Sequence, residues 1–522
     1  MTKVITKIAD IFTFVLLTGA LLVNILKFSE YFLGGSKKWF AVAALAAAVF
    51  AFYALGGSIF AAIKKVFSFV KKLSVVQMAV ILFAFILASK VFLVFLLDNN
   101  FTNHTDMRHY YSFATQIADS GKITEETLYA SLYGYSVVYG WFLAPIAKVF
   151  GSDTKVFTVF LSVLFAVTSV LLFDIARKYI GKNKAFFGVF LYNILPVGLF
   201  QTQVLIHETA LLFFYVLSFR IFLKALGTEA PLPKRIGLLV LSALIIAFGS
   251  QINIGGAVVI ISFLIYALAD AAKNRLTLKK LLNVAVCAVC FALCFVIVSL
   301  SCMALVKNTV QVPESEKALV ERSVNNRVSM AWVTYLGMNY ETGGVWNEED
   351  AKTYDHYFQI EDSKQAKDYQ NALVEERMKS YTDNPMLVPK LMWHKYFEMW
   401  SVPFLGIVYG KGGNHINDVL LYAGNRAIYK GILALCYLSN ILIYSAFLFS
   451  YFRKRKKELP VQVTPELQFK LLFVGIVLAL ILFEIVNKYV SHLHFVLFML
   501  ALFRAEDFIE SSRGFGARLK RK

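Results

Sequence analysis

Long apolar runs separated by polar junctions dominate this chain. Twelve runs, at about 8–27, 39–63, 75–97, 156–178, 184–203, 205–225, 236–252, 254–272, 281–305, 427–450, 469–487 and 490–506, read as membrane helices. The reason is length: an α-helix needs about 20 apolar residues to cross ~30 Å of hydrocarbon. Two junctions are far longer than the rest, a first polar loop at about 98–133 and a second at about 306–426. The run 134–150 is apolar but only about 17 residues long, and counting it as a crossing would invert the orientation of everything downstream. It is therefore read as a juxtamembrane or half-inserted helix closing the first loop. The expected architecture is an all-α polytopic membrane protein of about 12 transmembrane helices. Its divisions are N-terminal helices at 1–97, the first loop with its closing helix at 98–155, central helices at 156–305, a large and partly helical loop at 306–426, and C-terminal helices with a basic tail at 427–522.

Charge orients these runs. Lys64, Lys65, Lys71 and Lys72 follow the second run; Arg177, Lys178, Lys182 and Lys184 surround the end of the fourth; Lys273, Arg275, Lys279 and Lys280 follow the eighth. Arg453 to Lys457 follow the tenth, and the tail carries Arg518, Lys520, Arg521 and Lys522. Every second junction is thus basic, which places both termini in the cytoplasm and both long loops outside. The stretch 307–398 carries 11 Lys and Arg against 15 Asp and Glu, although the whole chain has a net charge of +19. The positive charge therefore reads as topology, and nucleic acid is not an expected partner.

Composition agrees. Of the 522 residues 58% are hydrophobic, 17% are charged and 48 are Phe, with a mean hydropathy of +0.62. A soluble domain needs more polar surface than that. The Lys3 and Lys7 start precedes a run too long for a cleavable leader, so it reads as a retained helix. Cys287, Cys290, Cys294 and Cys302 share one apolar run and Cys436 lies in another; the Cys287–Cys290 spacing lacks a second pair that would make it a metal site.

Candidate chemistry gathers at the outer ends of the runs. Asp106, Tyr110 and Ala114 lie at helical spacing in the first loop, one face of a short helix. A carboxylate there is positioned either to accept a proton from an incoming hydroxyl or, with Thr105, to cap the helix. Arg108, Lys488 and Lys90 are the basic candidates for holding a phosphate, with snorkelling to the interface as the other reading of Lys90. Glu208 and Glu484 sit near outer helix ends, His492 and His494 follow closely on Tyr489, and Trp393, His394, Lys395 and Trp400 precede Pro403 in the large loop. Asn103-His104-Thr105 has the form of a glycosylation sequon.

The run Asp106-x-x-x-Tyr110-x-x-x-Ala114 resembles the opening motif of the GT-C superfamily of membrane glycosyltransferases. The nearest branch is the protein-mannosyltransferase and aminoarabinose-transferase-like one, whose bacterial members act on polyprenyl-phosphate sugars. Further pieces fall in matching order. Tyr133-Gly134-Tyr135 through Trp141 to Phe150-Gly151 resembles the aromatic helix after the motif, without the prolines that follow its first aromatic residue in the family. Pro196 with His207-Glu208 resembles paired spans with a carboxylate between them. Glu484 to Tyr489 resembles a late glutamate followed by an Arg-Tyr pair, with Lys488 in the arginine's place, which removes a bidentate grip but keeps a charge. Gly337-Met338-Asn339 with Gly343-Gly344 and Asp350 resembles a loop of Gram-positive members. The resemblance implies transfer of a sugar from a polyprenyl-phosphate donor to an acceptor hydroxyl outside the membrane, with inversion at the anomeric carbon and Asp106 as catalytic base. Arg108, Tyr110, Glu208, Glu484, Lys488 and Tyr489 are then the substrate-binding candidates. The acceptor is a glycan, polymer, lipid or protein, the membrane lipids surround the site, and the scheme calls for no metal or other cofactor.

Two other readings fit twelve runs: a secondary transporter or lipid flippase, and an O-antigen-ligase-like or polymerase-like enzyme with a large late outer loop. Transporters usually set ionisable groups at the bilayer midplane, whereas the charged candidates here lie at outer helix ends.

Overall fold

A computed structural model of the chain describes residues 1–33, 38–66, 68–97, 105–227, 231–253, 255–273, 276–315, 317, 330–345, 347–360, 362–401, 426–452, 463–483 and 492–519. These are almost entirely helical. The helices run α1 Thr2–Leu33, α2 Lys38–Val66, α3 Val75–Leu97, α4 Thr105–Ser120, α5 Thr127–Leu132, α6 Gly134–Phe150 and α7 Thr154–Ile180. They continue with α8 Lys182–Ile194, α9 Pro196–Phe200, α10 His207–Gly227, α11 Leu232–Ile252, α12 Gly255–Ala271 and α13 Leu278–Thr309. The large loop contributes α14 Met330–Gly337, α15 Glu348–Gln359, α16 Ser363–Asp383 and α17 Leu387–Ser401, before α18 Arg426–Ser450, α19 Pro465–Leu482, α20 Leu493–Phe503 and α21 Ala505–Leu519.

Among the described residues eight helices are long and apolar enough to cross a membrane, fewer than the twelve expected crossings. The run 254–272 forms a helix of 17 residues, and the run 490–506 forms one of 11 residues, α20. It ends at Arg504, where the chain turns into the amphipathic α21. The run 184–203 is not one helix. Pro196 has no N–H to continue the ladder and forces Leu195 into an extended conformation, so α8 stops and the short α9 begins.

Residues 201–206 then run without helical structure, all buried. Three helices anchor this stretch through its buried polar side chains. Tyr192 of α8 donates to Oε1 of Gln201 at 2.8 Å, Ser162 of α7 lies 3.1 Å from the Thr202 hydroxyl, and Gln203 donates to the Lys90 carbonyl of α3 at 3.3 Å. Lys90 does not snorkel. Its ammonium is wholly buried, donates to the carbonyls of Gly198 at 2.5 Å and Leu199 at 3.3 Å, and lies over the Phe165 ring. The break thus creates the acceptors that make a buried lysine tolerable.

Contacts sort the helix ends into two groups. Lys182 donates to the Leu73 carbonyl, Lys184 pairs with Glu506, and Thr2 donates to the Ala269 carbonyl. Asp10, Glu466, Lys470 and Arg504 form one ion cluster in which the two cations are buried and the two carboxylates half-buried. The basic junctions and the start of α1 therefore share one end of the bundle. At the other end the two loops lie side by side: Ile123 and Val310 form an isolated parallel bridge, Lys122 donates to the Asn308 carbonyl at 2.7 Å, and Trp141 donates to the Thr309 hydroxyl at 2.7 Å.

The large loop has its own buried centre. Asp350, 2% exposed, takes Arg377 at 2.5 Å and Asn339 at 3.0 Å, while Arg377 also donates to the Tyr335 carbonyl. Gly343 and Gly344 have φ of +69° and +77°, and a Cβ on Gly344 would sit 2.4 Å from Cε of Lys395. Only glycine fits this approach. Lys395 in turn donates to the carbonyls of Ile481 and Phe483, capping the end of α19. The α17 helix enters the bundle with Trp400, which packs on Tyr444, Phe473 and His494. Trp400 belongs to the core, whereas Trp393 is 49% exposed. The five cysteines are free thiols, four of them on α13.

Candidate functional site

Asp106 stands in the first turn of α4, where the unpaired N–H groups and the helix dipole favour a carboxylate. One turn on, Tyr110 is buried, and Met107 and Ala114 pack with it against Val138, Tyr139, Leu143 and Ala147 of α6. The two helices approach closely because Gly140 has no side chain: a Cβ there would lie 3.0 Å from Cβ of Phe113. The aromatic helix α6 is thus the platform that fixes the direction of α4.

Three first-loop groups absent from the sequence reading complete this side. Glu126 adopts the left-handed conformation, φ 57°, unusual for a residue with a side chain. It is held there by an ion pair to Arg108 and by Nδ1 of His109 at 2.5 Å. Burial alone would raise the Glu126 carboxyl, but the hydrogen bonds and charges of His109 and Arg108 prevail and keep it below its ordinary 4.5. The His109 ring stacks on Tyr129, centroids 3.6 Å apart, and the Tyr129 hydroxyl donates to Oδ1 of Asp106 at 3.4 Å. Burial, Tyr135 and the Asp106 carboxylate push the phenols of Tyr110 and Tyr129 up. Both stay protonated, so Tyr129 remains a donor toward Asp106.

The second side is the start of α10. The Tyr139 hydroxyl donates to the Ile206 carbonyl, tying the end of the 201–206 stretch to α6. His207 follows, its ring 5.3 Å from Tyr110, 5.6 Å from Tyr135 and 6.2 Å from Tyr139. Asn253, at the end of α11, accepts from the Gly255 N–H at 2.8 Å through its carboxamide oxygen. Its NH2 therefore faces Nδ1 of His207, 2.7 Å away. The same Nδ1 lies 3.1 Å from Oε2 of Glu208, whose side chain is 1% exposed. Tyr110 feels the charge of both Asp106 and Glu208, so the two carboxylates flank one tyrosine.

Placement of the other candidates varies. Arg108 is engaged with Glu126, its side chain 57% exposed. His492 stands immediately before α20 and makes no side-chain cap bond there. His494 turns into the core, with Nδ1 3.1 Å from the Tyr444 hydroxyl. Glu484, Lys488 and Tyr489, with Asn103 and His104 of the sequon, lie outside the described residues. No group of three or more His, Cys, Asp or Glu with metal-holding geometry occurs among the described residues.

No curated protein and no solved structure matches the chain significantly. A family model does, over a segment that starts after Asp106 and contains Tyr135, Tyr139, His207, Glu208 and Asn253. Residues 135–300 of this multi-pass membrane chain match the model of the dolichyl-phosphate-mannose-protein mannosyltransferase family, a family of membrane glycosyltransferases of the GT-C type.

Proposed function

We propose that the protein transfers a sugar from a polyprenyl-phosphate donor to an acceptor hydroxyl at the extracytoplasmic face of the cell membrane, in the building or modification of a cell-surface glycan or wall polymer. The observation that carries this reading is the convergence of Asp106, Tyr129, Tyr110 and the His207–Glu208 pair at the end of the bundle where the two long loops meet. The family match supports the class of reaction. The positive-inside pattern supports the side, with both termini cytoplasmic.

In this scheme the acceptor oxygen attacks the anomeric carbon from the face opposite the phosphate. The bond between that carbon and the phosphate oxygen breaks, and polyprenyl phosphate leaves with the electron pair. Asp106 takes the hydroxyl proton as positive charge develops at the anomeric carbon. Tyr129 orients the carboxylate by donating its phenol hydroxyl to Oδ1 of Asp106. Lys488 supplies the charge opposite the leaving phosphate, with Glu484, Tyr489, Glu208 and Tyr110 shaping the rest of the site. Direct displacement gives inversion.

One feature favours the transporter reading: the irregular buried stretch 201–206, a device that carriers use near the midplane. Here it is tied to three helices and leads directly into His207–Glu208, which suits a rigid site better than a moving one. The two are separated by supplying purified protein in vesicles with a polyprenyl-phosphate hexose and a hydroxyl acceptor. Release of free polyprenyl phosphate with a new glycosidic bond of opposite anomeric configuration supports the transferase. Movement of the intact lipid across the bilayer without bond cleavage overturns it.

A further inference from the structure

The helix that carries Tyr129, α5, is only six residues long, and its N-cap makes no side-chain bond. A helix that short does not hold itself in water, so its position depends on ties from elsewhere. The longer α4 supplies them. Gln116 accepts from the N–H groups of Thr124 and Glu125 at 2.9 and 3.0 Å. Glu126, the residue before α5, reaches back with both carboxylate oxygens, one to Arg108 and the other to Nδ1 of His109 at 2.5 Å. Its own carbonyl accepts from the Ala130 N–H at 3.0 Å, so one residue makes both the grip on α4 and the first turn of α5. The grip is made from the left-handed region, φ 57° and ψ 34°, which a residue with a Cβ keeps only when its surroundings impose it. Glycine would make this turn more easily, yet a carboxylate stands there.

What the grip controls is Tyr129, three residues on. Its ring lies flat on His109, centroids 3.6 Å apart and planes 17° from parallel. Glu126 therefore holds both the backbone that carries Tyr129 and the ring against which Tyr129 rests. The Tyr129 hydroxyl is 3.4 Å from Oδ1 of Asp106, at the long limit of a hydrogen bond. A small shift of α5 decides whether that bond is made.

We infer that Glu126 is a positioning residue: through His109 and Tyr129 it sets the orientation of the Asp106 carboxylate, and so the rate of sugar transfer, without itself touching donor or acceptor. The effect on rate rests on the proposed transferase reading.

The test has two arms, both on full-length protein in nanodiscs. The first needs no substrate. With 3-fluorotyrosine at position 129, the fluorine NMR shift should move on Asp106→Asn, because the oxygen that accepts from the phenol loses its charge. Glu126→Gly, which keeps the left-handed turn but removes the grip, should abolish that response. Glu126→Gln, which can still bond Arg108 and His109, should retain most of it.

The second arm is a double-mutant cycle on release of undecaprenyl phosphate from its glucose, mannose and galactose esters. Tyr129→Phe and Glu126→Gly should each lower kcat about tenfold, the worth of one hydrogen bond to a charged group, with donor KM unchanged. Together they should lower it no further than either alone, and Glu126→Gln should restore most of the rate. Losses that multiply in the double variant, as general loosening of the fold would give, overturn the inference. So does a fluorine response that survives Glu126→Gly. A wild type that cleaves no polyprenyl-phosphate sugar sinks the transferase reading instead, and the fluorine arm then decides by itself whether Glu126 governs the Asp106–Tyr129 contact.

Discussion

Tyr110 and His207 meet with ring centroids 5.3 Å apart, joining the first loop to the start of α10. This contact sets the geometry of the site. Tyr110 follows Asp106 by one helical turn and His207 precedes Glu208 by one residue, so a single aromatic contact fixes the spacing between two carboxylates that are remote in sequence.

The Glu126 hinge gives a pH prediction. Its folded-state pKa is lowered, so the stabilisation from Arg108 and His109 is fully present above the unfolded value near 4.5. It is lost as pH falls through the lower folded value. Thermal unfolding followed between pH 7 and pH 3 should show a decline in melting temperature that sets in below about 4.5. Glu126→Gln should melt earlier at pH 7 and show a smaller acid decline; an undiminished acid decline in Glu126→Gln would remove this carboxylate from the account.

Lys90 should act as a strut for the broken segment. Replacing it by Leu leaves the Gly198 and Leu199 carbonyls without their buried donor, at about 1–3 kcal/mol. Hydrogen exchange should accelerate selectively over 195–206 in Lys90→Leu while α1 and α2 keep their protection. Unchanged exchange over that stretch would mean that Tyr192, Ser162 and Gln203 hold it alone.

The large loop should depend on one ion pair. Arg377→Ala strands the buried Asp350 carboxylate, and losing one member of a buried pair costs about 3–5 kcal/mol. Limited proteolysis should cut within 330–383 far faster in the variant. Arg377→Ala with Asp350→Asn should recover part of the resistance, because the remaining amide can still meet Asn339 and Asn347 without a charge.

Much of this fold is legible in hydropathy, since a long apolar run such as 156–178 has one stable solution in a bilayer. The adjacency of the two loops is legible too, because basic residues at alternate junctions put both on one side, and the Ile123–Val310 bridge joins them. The break after α8 is less visible. Pro196 marks it, but apolar residues continue on both sides, and the stretch is stable only because Lys90 arrives from α3. The left-handed Glu126 leaves no local trace, since its conformation is set by Arg108 and His109 after the chain has folded. Asn253 is similar: nothing near it in sequence announces that it will meet the His207 ring. Local motifs located Asp106, Tyr110 and Glu208, while the groups that orient them depend on tertiary contacts.

The most direct test of the central claim is single-turnover transfer from a polyprenyl-phosphate hexose by Asp106→Asn, which keeps the shape of the side chain and the Tyr129 contact but cannot take a proton. The account predicts a rate lower by about 10²- to 10⁴-fold, with donor affinity and melting temperature near those of the wild type. Transfer at the wild-type rate by the folded variant would contradict it.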